Sequence, residues 1–230
     1  MERGEEMIPL KDTIPSRHLP IMTWLLIILN FVIFVYQLRL GSNGYIRLIE
    51  YFGLIPAYYR TGLTDITNIF PFISYIFLHS GWLHVVGNMW ALWLFGDNVE
   101  DKMGSFRFLV FYIIMGVIAG MVHVFSDPSS TIPTIGGSGA IAGVMGAYFV
   151  MYPGARIVTL IPLFFIPLFF EIPAVIYLGF WLFSQVYSVI INHNSGTVSN
   201  IAWFAHIGGF LAGALFHRLF FQPYRERYRI

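Results

Sequence analysis

The sequence contains no cysteine, which rules out disulfides, thiolate metal ligands and a cysteine nucleophile. Charge is scarce as well: Asp, Glu, Lys and Arg make up 11% of the 230 residues, against about 25% in an ordinary soluble domain. A formal net charge of +1 argues against a nucleic-acid partner, because counterion release needs a basic surface. What fills the place of charge is apolar surface, at 57% hydrophobic and 18% aromatic residues with a mean hydropathy of +0.70. Such a chain is an integral membrane protein, and the lipid bilayer is its partner and solvent. A leader peptide is also missing from the pattern. Residues 1–20 are polar and mixed in charge, with no apolar core before a small-residue cleavage site, and read as a cytoplasmic tail.

A spanning helix needs about 20 predominantly apolar residues. Candidates fall at 21–38, 81–95 (with a possible start inside 70–78), 106–125, 138–152, 169–191 and 201–221. The stretch 41–80 mixes Arg47, Glu50, Arg60 and Asp65 with Tyr45, Tyr51, Phe52, Tyr58 and Tyr59. It is too polar to span and too aromatic for a free loop, so short interfacial helices are expected there. The apolar run 157–191 exceeds one helix, and Pro162, Pro167 and Pro173 interrupt its first half. Residues 157–168 are therefore expected as a membrane-dipping connection, and 192–200 as a short polar loop. With the N-terminus inside, only Arg39, Arg47 and Arg60 of the 13 Lys and Arg fall outside, in keeping with the positive-inside rule. The expected fold is an all-α membrane protein: a six-transmembrane-helix bundle with a long interfacial outer loop between helices 1 and 2. Its parts are a cytoplasmic tail (1–20), the six-helix domain (21–221) and a basic cytoplasmic tail (222–230).

In that topology the even-numbered helices all run from outside to inside. His84 and Asn88 open the second, Ser138 opens the fourth, and His206 lies about one and a half turns into the sixth. Four groups that dislike lipid thus share one layer, and intramembrane polar residues of this kind point to function. Faces agree with depths. His206 shares a helix face with Gly209 and Gly213, and Gly139, Gly143 and Gly146 form a second stripe beside Ser138 and Ala142. Small-residue stripes invite close packing, which brings His206 towards Ser138 as a base towards a hydroxyl nucleophile. His84 and Asn88 share one face of the second helix and are plausible oxyanion donors.

Each residue also has a structural account. Ser138 is a good helix N-cap, while Asn88 and His206 are polar enough to bond helix to helix. His79 reads as a structural donor to the outer loop, and His123 has no identifiable partner. Asp97, Glu100, Asp101 and Lys102 read as interface anchors closing the second helix at about residue 96. Glu171 lies at the opposite end of its expected helix from the Ser138 layer and is rejected as a triad acid. The Gly-x-Ser-x-Gly elbow of soluble hydrolases is absent, since Gly139 directly follows Ser138. A zinc site from His79, His84 and His206 is possible by residue type but lacks an H-E-x-x-H pair, so neither metal nor cofactor is expected.

Taken together these motifs resemble the rhomboid intramembrane serine proteases. The family's GxSG corresponds to Gly136, Gly137, Ser138 and Gly139; its HxxxN to His84 and Asn88; and its AHxxG to Ala205, His206 and Gly209. The segments 96–101, 104–112 and 152–156 are similar too, so the resemblance covers about 21–221. It implies Ser138 as nucleophile and His206 as general base, with an oxyanion hole from the Asn88 side chain, the Ser138 N–H and His84. It further implies an outward water-filled cavity, gating by the fifth helix and the 192–200 loop, and single-span membrane proteins as substrates. Lacking a seventh helix or appended soluble domain, the chain resembles the minimal bacterial type, placed in the inner membrane. Two departures concern packing rather than the dyad: Phe70 and Pro71 stand where many members have Trp-Arg, and Ala142 where some have an aromatic. Two other classes are weighed: a catalytically silent rhomboid-like client-binding protein, and a small transporter. Silent members usually lack the Ser or the His, and the chain shows neither paired midplane acids nor repeated halves.

Overall fold

The computed structural model describes residues 8–60, 69–163, 166–195 and 201–222. Its helices are α1 (Ile21–Arg39), α2 (Gly41–Phe52), α3 (Pro71–Ser74), α4 (Trp82–Met103), α5 (Ser105–Ser126), α6 (Ser138–Met151), α7 (Ala174–Ser195) and α8 (Trp203–Phe216). Short 3-10 turns at Pro56–Tyr59, Tyr75–Phe77 and His217–Phe220 join them. Three strands, β1 (Ile8–Asp12), β2 (Arg156–Leu163) and β3 (Ile166–Pro173), form an antiparallel sheet in the order β1-β2-β3.

The bundle is arranged inside out relative to a soluble one. α1, α5 and the stretch Ala174–Asn192 of α7 are long and apolar enough to cross a membrane. The buried residues of α1 are Thr23, Leu26, Asn30, Phe34 and Gln37, one helical stripe in which three members are polar. Its outer face carries Trp24, Leu25, Ile28, Leu29 and Val32, all exposed. Two of these inward polar groups bond to other elements: Thr23 Oγ1 donates to Glu100 Oε2, and Gln37 exchanges two hydrogen bonds with the backbone of His79, while Asn30 Nδ2 donates within α1 to the Leu26 carbonyl.

α6 is the axis. Residues 139–148 are all buried, as expected of a helix that is apolar all round. It packs on α8 so closely that only hydrogen fits between them. A Cβ at Gly209 would lie 2.1 Å from the Gly139 carbonyl oxygen, at Gly213 1.9 Å from that of Gly143, and at Gly146 2.0 Å from that of Phe210. These are the two glycine stripes expected to meet. At 14 residues, α6 is roughly 21 Å long, shorter than the ~30 Å hydrocarbon core. Its first residue is Ser138.

Four expectations need correction. The fold is mostly helical rather than all-α, because the described residues of the expected connection 157–168 and the first residues of the expected fifth helix lie in the paired strands β2 and β3, and α7 starts at Ala174. β-Branched Ile157, Val158 and Thr159 favour a strand, and the prolines that break a helix are tolerated here for a definite reason. Pro162 lies beyond the span of β2 paired with β1, whereas Pro167 and Pro173 lie on the edge strand β3. The N-terminal stretch is not simply a tail, since β1 pairs with β2. α4 does not close at Gly96 but runs two turns further, to Met103. Glu100 explains this: 3% exposed, it accepts hydrogen bonds from Met22 N, Thr23 N and Thr23 Oγ1 at 2.8–2.9 Å and from Ser105 Oγ at 2.5 Å. Its carboxylate satisfies the orphan donors of the α1 N-terminus, so it is a buried cap rather than an interface anchor. Finally, residues 192–195 of the expected polar loop belong to α7, while 196–200 lie outside the described residues. The same holds for 61–68, including Asp65, and for most of the basic tail. The described parts of the stretch 41–80 hold the short helices α2 and α3 and two 3-10 turns.

Candidate active site

α6 begins where the backbone makes a turn open to few residues. Gly136 has φ +122°, a conformation that L side chains rarely adopt. A Cβ there would also lie 2.5 Å from His84 Nε2. Its N–H donates to the Tyr75 carbonyl at 2.9 Å, and Gly137 serves as the N-cap residue. Ser138 follows as the first helical residue, so its N–H is among those left without an intrahelical acceptor. The same helix terminus carries the positive end of the macrodipole.

Against this hydroxyl lies His206 of α8, its Nε2 2.8 Å from Ser138 Oγ. The other ring nitrogen, Nδ1, is 2.8 Å from Gln185 Oε1 on α7. Trp181 lies over the imidazole with ring centroids 5.9 Å apart and 34° between planes, and Trp203 meets it edge-on at 6.0 Å. Ala142 contributes no ring, and aromatic support comes instead from α7 and the start of α8. Gln185, Trp181 and Trp203 were not singled out in the sequence. An amide on an apolar helix carries no motif, and only the tertiary approach of α7 to α8 gives it meaning.

Asn88 and His84 of α4 stand opposite. Asn88 Nδ2 is 3.0 Å from His79 Nε2, which orients the amide and leaves its second hydrogen to donate elsewhere. His79 is fully buried and holds Asn88 in addition to its bonds with Gln37, so its structural reading is extended from the outer loop to the site. Ser80 approaches His84 Nδ1 through both its N–H (3.4 Å) and its Oγ (3.0 Å). A backbone N–H can only donate, so His84 Nδ1 is the acceptor and Nε2 carries the proton beside Gly136. The structure thus brings together all four sequence-selected residues, Ser138, His206, Asn88 and His84.

Two cavities meet at the dyad. One, of about 890 Å³, is lined by His84, Asn88, Gly136, Ser138, Gln185, Trp203 and His206 among others. The second, of about 720 Å³, runs from Asn88, Ser138 and His206 between α4 (Trp90, Ala91, Leu94) and α7 (Tyr177, Trp181) down to Ile8 and Pro9 of β1. Both cavities are lined mainly by apolar side chains, with the polar groups Asn88, Ser138 and His206 gathered where they meet. Glu171 takes no part. It sits half-exposed on β3, not on a helix, 3.9 Å from Arg156. His123 Nδ1 is buried without a hydrogen-bond partner. Among the described residues no group of three His, Asp or Glu could hold a metal ion.

The chain has known relatives. RHOMBOID-like protein 5 of Arabidopsis thaliana is 28% identical over 61% of this chain and 40% of its own length. Presenilin-associated rhomboid-like protein A, mitochondrial, of Danio rerio is 31% identical over 50% of this chain and 29% of its own. Rhomboid protein 1, mitochondrial, of Saccharomyces cerevisiae is 24% identical over 81% and 52%. The chain thus spans about half or less of the curated relatives it matches. The sequence model of the rhomboid domain family matches residues 67–223, a stretch that runs from the outer loop through every residue of the dyad layer. This protein belongs to the rhomboid family.

Proposed function

We propose that this protein is an intramembrane serine endopeptidase that cleaves transmembrane segments of single-span membrane proteins. The observation that carries the reading is the 2.8 Å approach of His206 Nε2 to Ser138 Oγ at the meeting point of the two cavities. In acylation the Ser138 Oγ–H proton passes to His206 Nε2 as Oγ attacks the scissile carbonyl carbon. The developing oxyanion is held by Ser138 N–H, Asn88 Nδ2–H and His84 Nε2–H. Collapse expels the amine, which takes the proton back from His206. Water entering through the cavity lined by His84, Asn88 and Gln185 then repeats the cycle on the acyl-enzyme. The substrate helix must unwind first, because an intact helix keeps its carbonyls in its own hydrogen bonds.

The proposal includes a six-span topology with both termini on the cytoplasmic side of a bacterial inner membrane. α1, α5 and α7 supply three spans by length and apolarity; α4, α6 and α8, packed among them, supply the other three. Entry of substrate between α4 and α7 is favoured by the cleft there. A silent client-binding role has no comparable support, since it gives the Ser138–His206 pair nothing to do. The test is reconstitution in liposomes with a single-span reporter. Wild type should cleave, Ser138→Ala should not, and a mechanism-based serine reagent should label Ser138. Equal cleavage by Ser138→Ala would overturn the assignment.

A further inference from the structure

The buried face of α7 is read from Ala174, Leu178, Trp181 and Gln185, spaced by four, three and four residues. Opposite them Ile176, Phe180, Phe183 and Tyr187 point outward and are exposed. Gln185 is thus an amide buried on the inward face of an otherwise apolar helix side, 5% exposed. Its Nε2 donates to the Trp181 carbonyl at 3.1 Å and to Ser184 Oγ at 2.9 Å. That leaves Oε1 as the acceptor facing His206 Nδ1 at 2.8 Å. An amide oxygen can only accept, so Nδ1 must carry the imidazole proton. The lone pair is then on Nε2, aimed at Ser138 Oγ–H.

We infer that Gln185 is the positioning residue of the His206 base, the third member of a Ser138–His206–Gln185 chain. It does with a neutral amide what a carboxylate does in soluble triads: it selects the tautomer that can take the serine proton. A neutral acceptor costs less to bury in lipid than a charge does. Because the acceptor rides on α7 and the histidine on α8, the base is held in its competent tautomer only while α7 is seated against α8. A displacement of α7 that widens the cleft towards α4 removes the acceptor, and its return restores it.

The inference rests on the Ser138–His206 reading, and one set of variants separates the two. The full chain in liposomes, with a single-span reporter, is compared as wild type, Ser138→Ala, Gln185→Met and Gln185→Glu. Gln185→Met keeps the volume and loses the acceptor, so kcat should fall roughly ten-fold with KM little changed. Gln185→Glu keeps the acceptor and adds a charge that favours the imidazolium. Turnover should return towards wild type, while the acidic limb of the pH profile moves up by about one unit. Nitrogen NMR of labelled His206 should show a protonated Nδ1 in wild type and mixed tautomers in Gln185→Met. Unchanged kcat and pH limb in both Gln185 variants, with Ser138→Ala inactive, would overturn the role of Gln185 alone. Equal losses in both variants with an unmoved limb would do the same, since they would report packing. Cleavage surviving Ser138→Ala would overturn the parent reading.

Discussion

Gly136 is where one residue has to meet two demands. Its φ of +122° excludes most side chains, and the space a Cβ would occupy is already held by His84 Nε2 at 2.5 Å. The turn that lifts Ser138 N–H towards the cavity therefore depends on a residue with no side chain. Gly136→Ala should lower both stability and activity, its thermal melt in detergent below wild type and its cleavage close to background. A gain of a small side chain without loss of cleavage would show that the loop adapts. Asn88 is a second residue-scale case, held by His79 at 3.0 Å and lining both cavities. In the proposed mechanism Asn88 is an oxyanion donor, a contact worth about 3 kcal/mol, so Asn88→Ala should slow turnover roughly 100-fold or more, mostly in kcat. At this scale Ser138, His206, Asn88 and His84 were readable in the sequence, since each is a polar residue standing out on an apolar helix. His79 was readable only as a structural donor and Gln185 not at all, because their place at the site lies in what they touch.

At the scale of elements, β1 ties the N-terminal stretch to the bundle. Trp90 Nε1 donates to the Pro9 carbonyl at 2.7 Å, and Asp12 Oδ2 accepts from Asn98 Nδ2 at 2.8 Å and from the buried Tyr148 hydroxyl. The strand therefore runs along α4 from Trp90 towards Asn98, and its Ile8 and Pro9 line the cleft. Burial pushes the Asp12 carboxyl above its ordinary 3.8, although the bonds from Tyr148 and the backbone act in the other direction. A carboxyl whose folded pKa exceeds its unfolded one holds its proton more tightly when folded. Its contribution to stability is therefore greatest at low pH and falls as pH rises from 3.8 through the raised value. Asp12→Ala strands a buried hydroxyl and should cost about 1–3 kcal/mol, read as a lower melting temperature. Asp12→Asn keeps an acceptor for both donors and should restore most of that stability while flattening its pH dependence in this window. A loss in Asp12→Asn as large as in Asp12→Ala would show that the charge, not the hydrogen bonds, holds the strand.

For the whole molecule, the absence of cysteine makes orientation directly measurable. Single cysteines placed at Ser16 and Ser42 should label from opposite sides of sealed vesicles; labelling from one side would remove the span assigned to α1. The glycine stripes of α6 and α8 and the gathering of polar residues near Ser138 were legible in the sequence because each is a one-dimensional pattern of side-chain size and polarity along a helix. Periodicity is local, and so is its message. Tertiary structure alone decided what those patterns could not reach. The proline-broken run became a hairpin because β1, from the far end of the chain, offered its backbone to β2. α4 continued past Gly96 because the N-terminus of α1 needed the Glu100 carboxylate. The imidazole of His206 acquired its tautomer because Gln185 arrives from another helix. In each case a buried polar group had to be satisfied by a distant partner, and only the folded chain chooses that partner.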